Sequence, residues 1–415
     1  MADHDPCAAT GVDIGTARTK LALGPTHHIW DGPTPDDLWR DGHVDVKSLR
    51  TVLATAATAN AMNPPRSGLG IAVPDHWMIR GHDDPLSTAA STPRGKDLIA
   101  ALGTEFGQVH PVARSACLAA GLTDATDGVG LLCDVGAGTV DAAAFIRDGD
   151  TVRIFDVESA QVGTEEPTSL MLPSPSRAQV AALHDERVAR SWRATRVLAR
   201  AERFSAYQDT PVYLAGRHGG HIDARTVATA LGPIGQLAAT VVGRLLARIE
   251  VAEAVPLSVA GGNALGPVIA ALRSVFATAV GSIAAGSVAT GAARIAAGSV
   301  RVIGGYPYVI GVLSHHVHRG LLEPTVLAAP LSERIPLEIE CVEPQSMSSI
   351  IRVRPEATGP WIRPDFDETK AVPPGHYQVY VQTRRASFGV LLLREKGSGN
   401  VLTFLVDPTR RWGKR

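Results

Sequence analysis

Cysteine is scarce in this chain and never patterned. The four in 415 residues, Cys7, Cys117, Cys133 and Cys341, stand at no Cys-x-x-Cys or other metal-like spacing. A disulfide framework, a structural zinc site and a dithiol redox centre are thereby excluded at the level of motif. Cys117 and Cys133 lie in apolar segments and read as small buried hydrophobes in a reducing cytoplasm. An excess of charge is also missing: 40 Lys and Arg balance 41 Asp and Glu, for a net charge of −1. Nothing overall therefore points to nucleic acid or an anionic membrane as partner. The basic end, Arg410-Arg411-Trp412-Gly413-Lys414-Arg415, reads as a solvated tail. No run of 18 apolar residues occurs, and residues 1–10 lack a basic segment followed by an apolar core, so the expectation is a soluble, unexported, cytoplasmic protein. Gly-x-Ser-x-Gly and Ser-x-x-Lys patterns for nucleophilic work do not stand out either.

What is present is a motif used twice. Asp134-Val135-Gly136-Ala137-Gly138-Thr139-Val140-Asp141 has a near-copy about 120 residues upstream, Asp13-Ile14-Gly15-Thr16. Each follows an apolar run and precedes another, which reads as strand, tight glycine turn, strand. Glycine lets a backbone approach phosphate closely, and turn N–H groups can point at its oxygens. The carboxylates would repel phosphate, so they are expected to hold a cation or orient water. Two such hairpins facing each other would grip a nucleotide–Mg²⁺ complex. A third element, Leu257-Ser258-Val259-Ala260-Gly261-Gly262-Asn263-Ala264-Leu265-Gly266, reads as a strand, a Gly-Gly turn and the start of a helix, suited to close approach by a nucleoside.

In this order the three segments resemble the phosphate-1, phosphate-2 and adenosine motifs of the superfamily that unites actins, sugar kinases and heat-shock chaperone ATPases. Within it, the chain most resembles the DnaK-type chaperones of the heat shock protein 70 family. Ile71-Ala72-Val73-Pro74, Leu118-Ala119-Ala120-Gly121-Leu122, Arg193-Ala194-Thr195-Arg196-Val197-Leu198 and Val288-Ala289-Thr290-Gly291-Ala292-Ala293 are similar to further segments of that family. The resemblance covers roughly residues 10–300. It implies an α/β fold of duplicated actin-like (ribonuclease H-like) ATPase lobes, with lobe I over 1–130 and lobe II over 131–300. A helical, nucleotide-closing subdomain would belong to lobe II.

Roles follow from the same resemblance. Asp13 and Asp134 would organise Mg²⁺, through water, and the attacking water; Asp141 would support them. Gly15, Thr16, Gly136, Gly138 and Thr139 would cradle the phosphates of ATP or ADP. Lys20 matches a phosphate-contacting lysine, the alternative being a lysine exposed at a strand edge. Gly261 and Gly262 would approach the nucleoside, and Arg196 would stack on adenine by its guanidinium plane. There are departures too. Val109-His110-Pro111-Val112-Ala113-Arg114-Ser115-Ala116 offers no carboxylate where the family places a water-positioning glutamate. His110 reads as a helix-capping or solvated histidine rather than its substitute. Only about 60 residues separate Asp13 from Pro74, too few for the subdomain that carries the family's catalytic lysine, and Leu265 replaces an arginine. Loss of a positioned base removes rate more than ground-state binding.

After Val300 the pattern changes to short β-type runs divided by turn signals, with period-two alternation in His376-Tyr377-Gln378-Val379-Tyr380-Val381. A linker over 301–307 and an antiparallel, β-sandwich-like domain over 308–415 are expected. The domain faintly resembles the chaperones' peptide-binding β domain, without a helical lid. His315, His316 and His318 form a compact cluster, but the sequence supplies no further metal ligands for them. The function expected is an ATP-binding, chaperone-like switch with uncertain hydrolysis, its β domain binding a polypeptide partner. The alternatives are a catalytically silent nucleotide-binding scaffold for protein assembly and, behind it, a small-molecule kinase.

Overall fold

The protein is described by a computed structural model over residues 9–406, apart from 16, 24–27, 36, 41–42, 60–67, 78–88, 123–126, 163–166, 173, 215–219, 250–254, 277–279, 304–308, 332–334, 355–359, 364–370 and 385–387. It divides into two units, one of residues 1–78 and 88–302, the other of residues 79–87 and 303–415.

The first unit is mixed α/β and runs through one topology twice. In its first half, β1 (Thr10–Ile14), β2 (Arg18–Leu23) and β3 (His28–Pro33) make an antiparallel meander. A small hairpin, β4 (Trp39–Arg40) and β5 (His43–Val44), and helix α1 (Val46–Ala59) come next. Then β6 (Leu69–Val73), α2 (Pro93–Leu102) and β7 (Val109–Ala113) add two strands parallel to β1. Helix α3 (Arg114–Gly121) closes this half, whose sheet order is β3-β2-β1-β6-β7.

The second half repeats the scheme with β8 (Gly128–Val135), β9 (Thr139–Asp148) and β10 (Thr151–Gln161) as the meander. A helical insert follows: α4 (Pro167–Leu170), α5 (Arg177–Ala189), α6 (Ser191–Arg203), the hairpin β11 (Pro211–Leu214) and β12 (His221–Asp223), and α7 (Ala224–Ile249). The parallel strands β13 (Leu257–Ala260) and β14 (Val280–Ser282) bracket α8 (Gly266–Val275), and α9 (Ser287–Ala296) closes the half. Read from the meander, this sheet runs β10-β9-β8-β13-β14, matching the first strand for strand and direction for direction. Beyond β10 a last strand, β15 (Arg301–Ile303), extends the edge, so the first three residues of the segment expected to be a linker are strand and its other four lie outside the described residues. Helix α7 is long and apolar enough to cross a membrane by length and composition alone; here its apolar side packs on β9, β10 and α8.

Residue chemistry accounts for this arrangement. The central strands are largely apolar and covered on both faces, as parallel pairing requires: Leu69–Val73 is buried throughout, as is Gly130–Val135, Asp134 included. Helix α2 starts where Thr92 accepts the Gly95 N–H at 3.1 Å and Pro93 takes the first helical position. Helix α5 opens on a capping box of Ser176 and Gln179. The two closing helices exchange lobes: α3 packs on β8, β9 and β10, while α9 packs on β1, β2 and β6. They cross each other so closely that a Cβ on Gly291 would lie 1.7 Å from the Cys117 carbonyl oxygen. Only glycine permits that approach.

The second unit is built of β16 (Val309–His318), β17 (Leu321–Ala328), β18 (Leu337–Cys341), the short pair β19 (Gln345–Ser346) and β21 (Ala371–Val372), the single turn α10 (Met347–Ile350), β20 (Ile351–Arg354), β22 (Gly375–Arg384), β23 (Phe388–Glu395) and β24 (Val401–Val406). Every pairing within it is antiparallel among the described residues, in the sheet orders β17-β16-β20 and β18-β22-β23-β24. Alternate residues of the two sheets share one core, with Ile310, Val312 and Ile351 from the first and Val379, Leu391 and Phe404 from the second. Strand β17 is absent from the sequence reading because Leu321–Ala328 shows no inward apolar alternation; its first four residues are exposed.

Candidate functional site

In each half the chain leaves the central strand in opposite directions, so β1 and β8 end at topological switch points, where open sheets place ligands. Both Asp-Gly segments fall there, and their hairpins match atom for atom. The Gly15 N–H donates to Arg18 O at 3.1 Å and the Gly136 N–H to Thr139 O at 2.9 Å. Asp13 pairs in register with Lys20 and Asp134 with Asp141, so Lys20 and Asp141 hold equivalent places in the two hairpins. Strand β2 lies between β1 and β3, so Lys20 is not at a sheet edge. Its Nζ lies 3.9 Å from Asp13 Oδ2, with the side chain 21% exposed.

The second hairpin spends its polar groups on itself. Thr139 Oγ1 donates to Asp141 Oδ2 at 2.7 Å, and Ser159 Oγ on β10 donates to Asp141 Oδ1. Asp141 therefore locks the hairpin to β10, and the Thr139 hydroxyl proton is engaged there rather than turned outward. Gly138 O accepts from the Val162 N–H. The Gly15 and Gly136 N–H groups close the turns, so they are engaged within the hairpins rather than turned toward a ligand as expected. Thr16 lies outside the described residues.

The Gly-Gly turn after β13 is stitched to the same hairpin. Gly261 adopts φ +102, and a Cβ there would sit 2.3 Å from Val135 O and 2.6 Å from Asp134 Oδ1. The position demands glycine for conformation and for space. Asn263 donates from its backbone to Val135 O at 3.1 Å and from Nδ2 to Gly136 O at 2.8 Å. Arg187 of α5 holds this turn, donating to Asn263 Oδ1, Gly262 O and Thr168 Oγ1 at 2.7, 2.9 and 2.6 Å. Sequence reasoning assigned nothing to Arg187, which is one of many arginines on a helix. Arg196 is exposed on the face of α6 opposite Ala194 and Leu198, with its guanidinium 5.8 Å from the Trp192 ring centre.

The largest departure from expectation is Arg114, the first residue of α3. Its Nη2 lies 3.1 Å from Asp13 Oδ1 and donates to Ile14 O at 2.6 Å, while Nη1 lies 3.6 Å from Asp134 Oδ2. One guanidinium thus joins the two aspartates of the two lobes. Its side chain is 12% exposed. Burial opposes its charge, but the carboxylates of Asp13, Asp134, Asp141 and Asp75 hold it above the ordinary guanidinium range. Helix α3 has no cap of its own; the buried Asp75 supplies one from the turn after β6. Asp75 Oδ1 accepts from Ser115 Oγ at 2.8 Å and from the Ser115 N–H at 3.3 Å. Burial pushes the Asp75 carboxyl up to about 7 and the Asp141 charge adds to it, against the pull of Ser115 and Arg114. Burial likewise pushes Asp134 up to about 6, opposed by Arg114. His110 is neither a cap nor at this centre: it sits inside β7, its Nε2 3.1 Å from Gln108 Oε1, and burial lowers its pKa.

The expected Mg²⁺ must be corrected on this geometry. Mg²⁺ requires near-octahedral oxygen ligands at roughly 2.0–2.1 Å and keeps several waters. The gap between Asp13 and Asp134 holds a guanidinium instead, so the pair as it stands does not fit the ion as direct ligands.

No family model matches the chain, and no curated protein does. Among solved structures it is similar to the ethanolamine utilization protein EutJ from Carboxydothermus hydrogenoformans, at 16% identity, covering 70% of this chain and 88% of that one with a TM-score of 0.40. It is also similar to MreB5 of Spiroplasma citri bound to ADP, at 15% identity, 69% and 94% coverage and a TM-score of 0.41. A third is Ta0583, an archaeal actin homolog, at 14% identity, 70% and 99% coverage and a TM-score of 0.41. Scores this low carry no argument about the site, and membership of the heat shock protein 70 family is not shown.

Proposed function

We propose that residues 10–300 form a nucleotide clamp of the duplicated actin-like type that holds ATP or ADP with little or no turnover. The observation that supports it is the twin hairpin. Two Asp-Gly turns with the same backbone hydrogen bond end the central strands of two like sheets, and the Gly261–Gly262 turn is pinned against one of them. The tip amides of Ala137 and Gly138 are the candidate phosphate contacts, and the Gly261–Gly262 turn the candidate nucleoside contact. Low turnover follows from Arg114 engaging both Asp13 and Asp134, which leaves neither carboxylate free to orient water. This favours the assembly scaffold over the ATP-driven chaperone among the functions expected from sequence.

Calorimetric titration of the intact protein with ATP and with ADP, followed by a phosphate-release assay, tests the reading. Saturable binding with negligible phosphate release is expected. Absence of binding to either nucleotide sinks the clamp, and brisk hydrolysis sinks the scaffold.

A polypeptide partner for the second unit is the second reading, favoured by one surface. Leu321 and Leu322 at the start of the edge strand β17, and Val317 opposite Leu322 on β16, are each about two-thirds exposed or more. A strand edge with no neighbouring strand among the described residues, beside apolar side chains, suits strand addition by a peptide.

A further inference from the structure

We propose that Arg114 is a built-in replacement for the divalent cation, so that this site takes no metal and binds its nucleotide metal-free. The nucleotide half of this rests on the clamp reading above; the metal half does not.

Two carboxylates from the two hairpins, Asp13 and Asp134, flank the Arg114 guanidinium, with Asp75 and Asp141 near enough to act on its charge, and such a grouping needs positive charge. A bound divalent ion would supply it reversibly; here a covalently attached guanidinium supplies it permanently. One hydrogen bond, from Nη2 to Ile14 O, and ion-pair approaches of 3.1 Å to Asp13 and 3.6 Å to Asp134 place it across the gap, with Asp13 Oδ1 accepting no hydrogen bond among the described residues. The backbone that carries it is fixed as well. Arg114 begins α3, whose remaining seven residues are all buried and whose N-terminus is held by Asp75 through Ser115. To admit an ion the guanidinium must either give up Asp13, Asp134 and its hydrogen bond to the Ile14 carbonyl, or stay beside the ion as a like charge. Lys20, 3.9 Å from the other oxygen of Asp13, adds a second fixed cation on the hairpin side. Metal and arginine thus compete for one position, and the arginine is always present.

The test uses the full chain and Mn²⁺ as a paramagnetic probe. Wild-type protein without nucleotide is expected to leave Mn²⁺ unbound in a spin-resonance titration up to about millimolar ion, the weak end of carboxylate sites. The R114Q variant is expected to gain one Mn²⁺ site, lost again in R114Q/D134N. A stoichiometric Mn²⁺ site in wild type that D13N or D134N abolishes overturns the proposal. So does a folded R114Q that gains none. If R114Q does not fold, the wild-type titration decides alone. In the nucleotide arm, ATP affinity with Mg²⁺ and with EDTA is expected to agree within about threefold, since a metal that does not bind cannot be linked to affinity. Binding that requires Mg²⁺ overturns the proposal. No ATP binding under either condition sinks the clamp, while the Mn²⁺ arm still decides whether arginine excludes the ion.

Discussion

Asp75 offers the sharpest test of the electrostatic argument, because one atom separates it from a neutral isostere. In D75N the Oδ1 that accepts from Ser115 remains, and the charge that burial opposes is gone. The Asp75 pKa stands at about 7 in the folded protein against 3.8 for an ordinary aspartate, a shift of about 3 units. At roughly 1.4 kcal/mol per unit, this amounts to about 4 kcal/mol of stability. A folded-state pKa raised in this way contributes stability that is fully present below about pH 4 and is lost as pH rises through about 7. Wild type and D75N should therefore be similar at pH 4, and D75N should be the more stable by up to about 4 kcal/mol at pH 8. Unfolding entropy for the roughly 300 residues of the first unit is about 0.6 kcal/mol per degree, so the gain in Tm at pH 8 should be about 3–7 °C. Asp134, raised to about 6, leaves a smaller slope of the same sign in the variant. Calorimetric or circular-dichroism melts at pH 4, 5, 6, 7 and 8 measure all of this. An unchanged pH slope, or a D75N protein less stable at pH 8, would show that Asp75 is a paired carboxylate and refute the reasoning.

Three further outcomes are expected. G261A should destabilise the first unit by roughly 2–3 kcal/mol, through a positive φ and a Cβ 2.3 Å from Val135 O, and should weaken ATP binding; urea titration and calorimetry measure the two effects. R187M should cost about 3 kcal/mol, because it strips partners from Asn263, Thr168 and the Gly262 carbonyl, and nucleotide affinity should fall with it; a variant of wild-type stability would mean that Arg187 does not hold the turn. The thiols of Cys117 and Cys133 should resist a disulfide reagent in the native protein at pH 8 and react only with unfolding, because burial holds both well above the ordinary thiol pKa. Rapid labelling of either would contradict the packing of α3 or β8.

Much of the site's frame was legible along the chain because it is written in local chemistry. Each Asp-Gly segment lies between apolar runs, and a glycine turn between strands is a matter of neighbouring residues. Most strands of the second unit were legible for the same reason, whereas β17 was not, since an exposed edge strand carries no core pattern. What the segment around Arg114 lacked was also visible: it has no carboxylate. What it had instead went unremarked, since an arginine 101 residues from Asp13 and 20 from Asp134 announces no pairing with either.

By itself, then, the sequence determined two copies of an Asp-Gly hairpin, a Gly-Gly turn and a β-rich end, because propensity and periodicity act over a few residues. Which polar groups meet was decided by tertiary structure alone. Long-range packing brings α3 against both lobes, places Arg114 between Asp13 and Asp134, and sets Asp75 under the helix that carries it. Charges interact through space, and the dielectric and the distance that govern them exist only once the chain has folded.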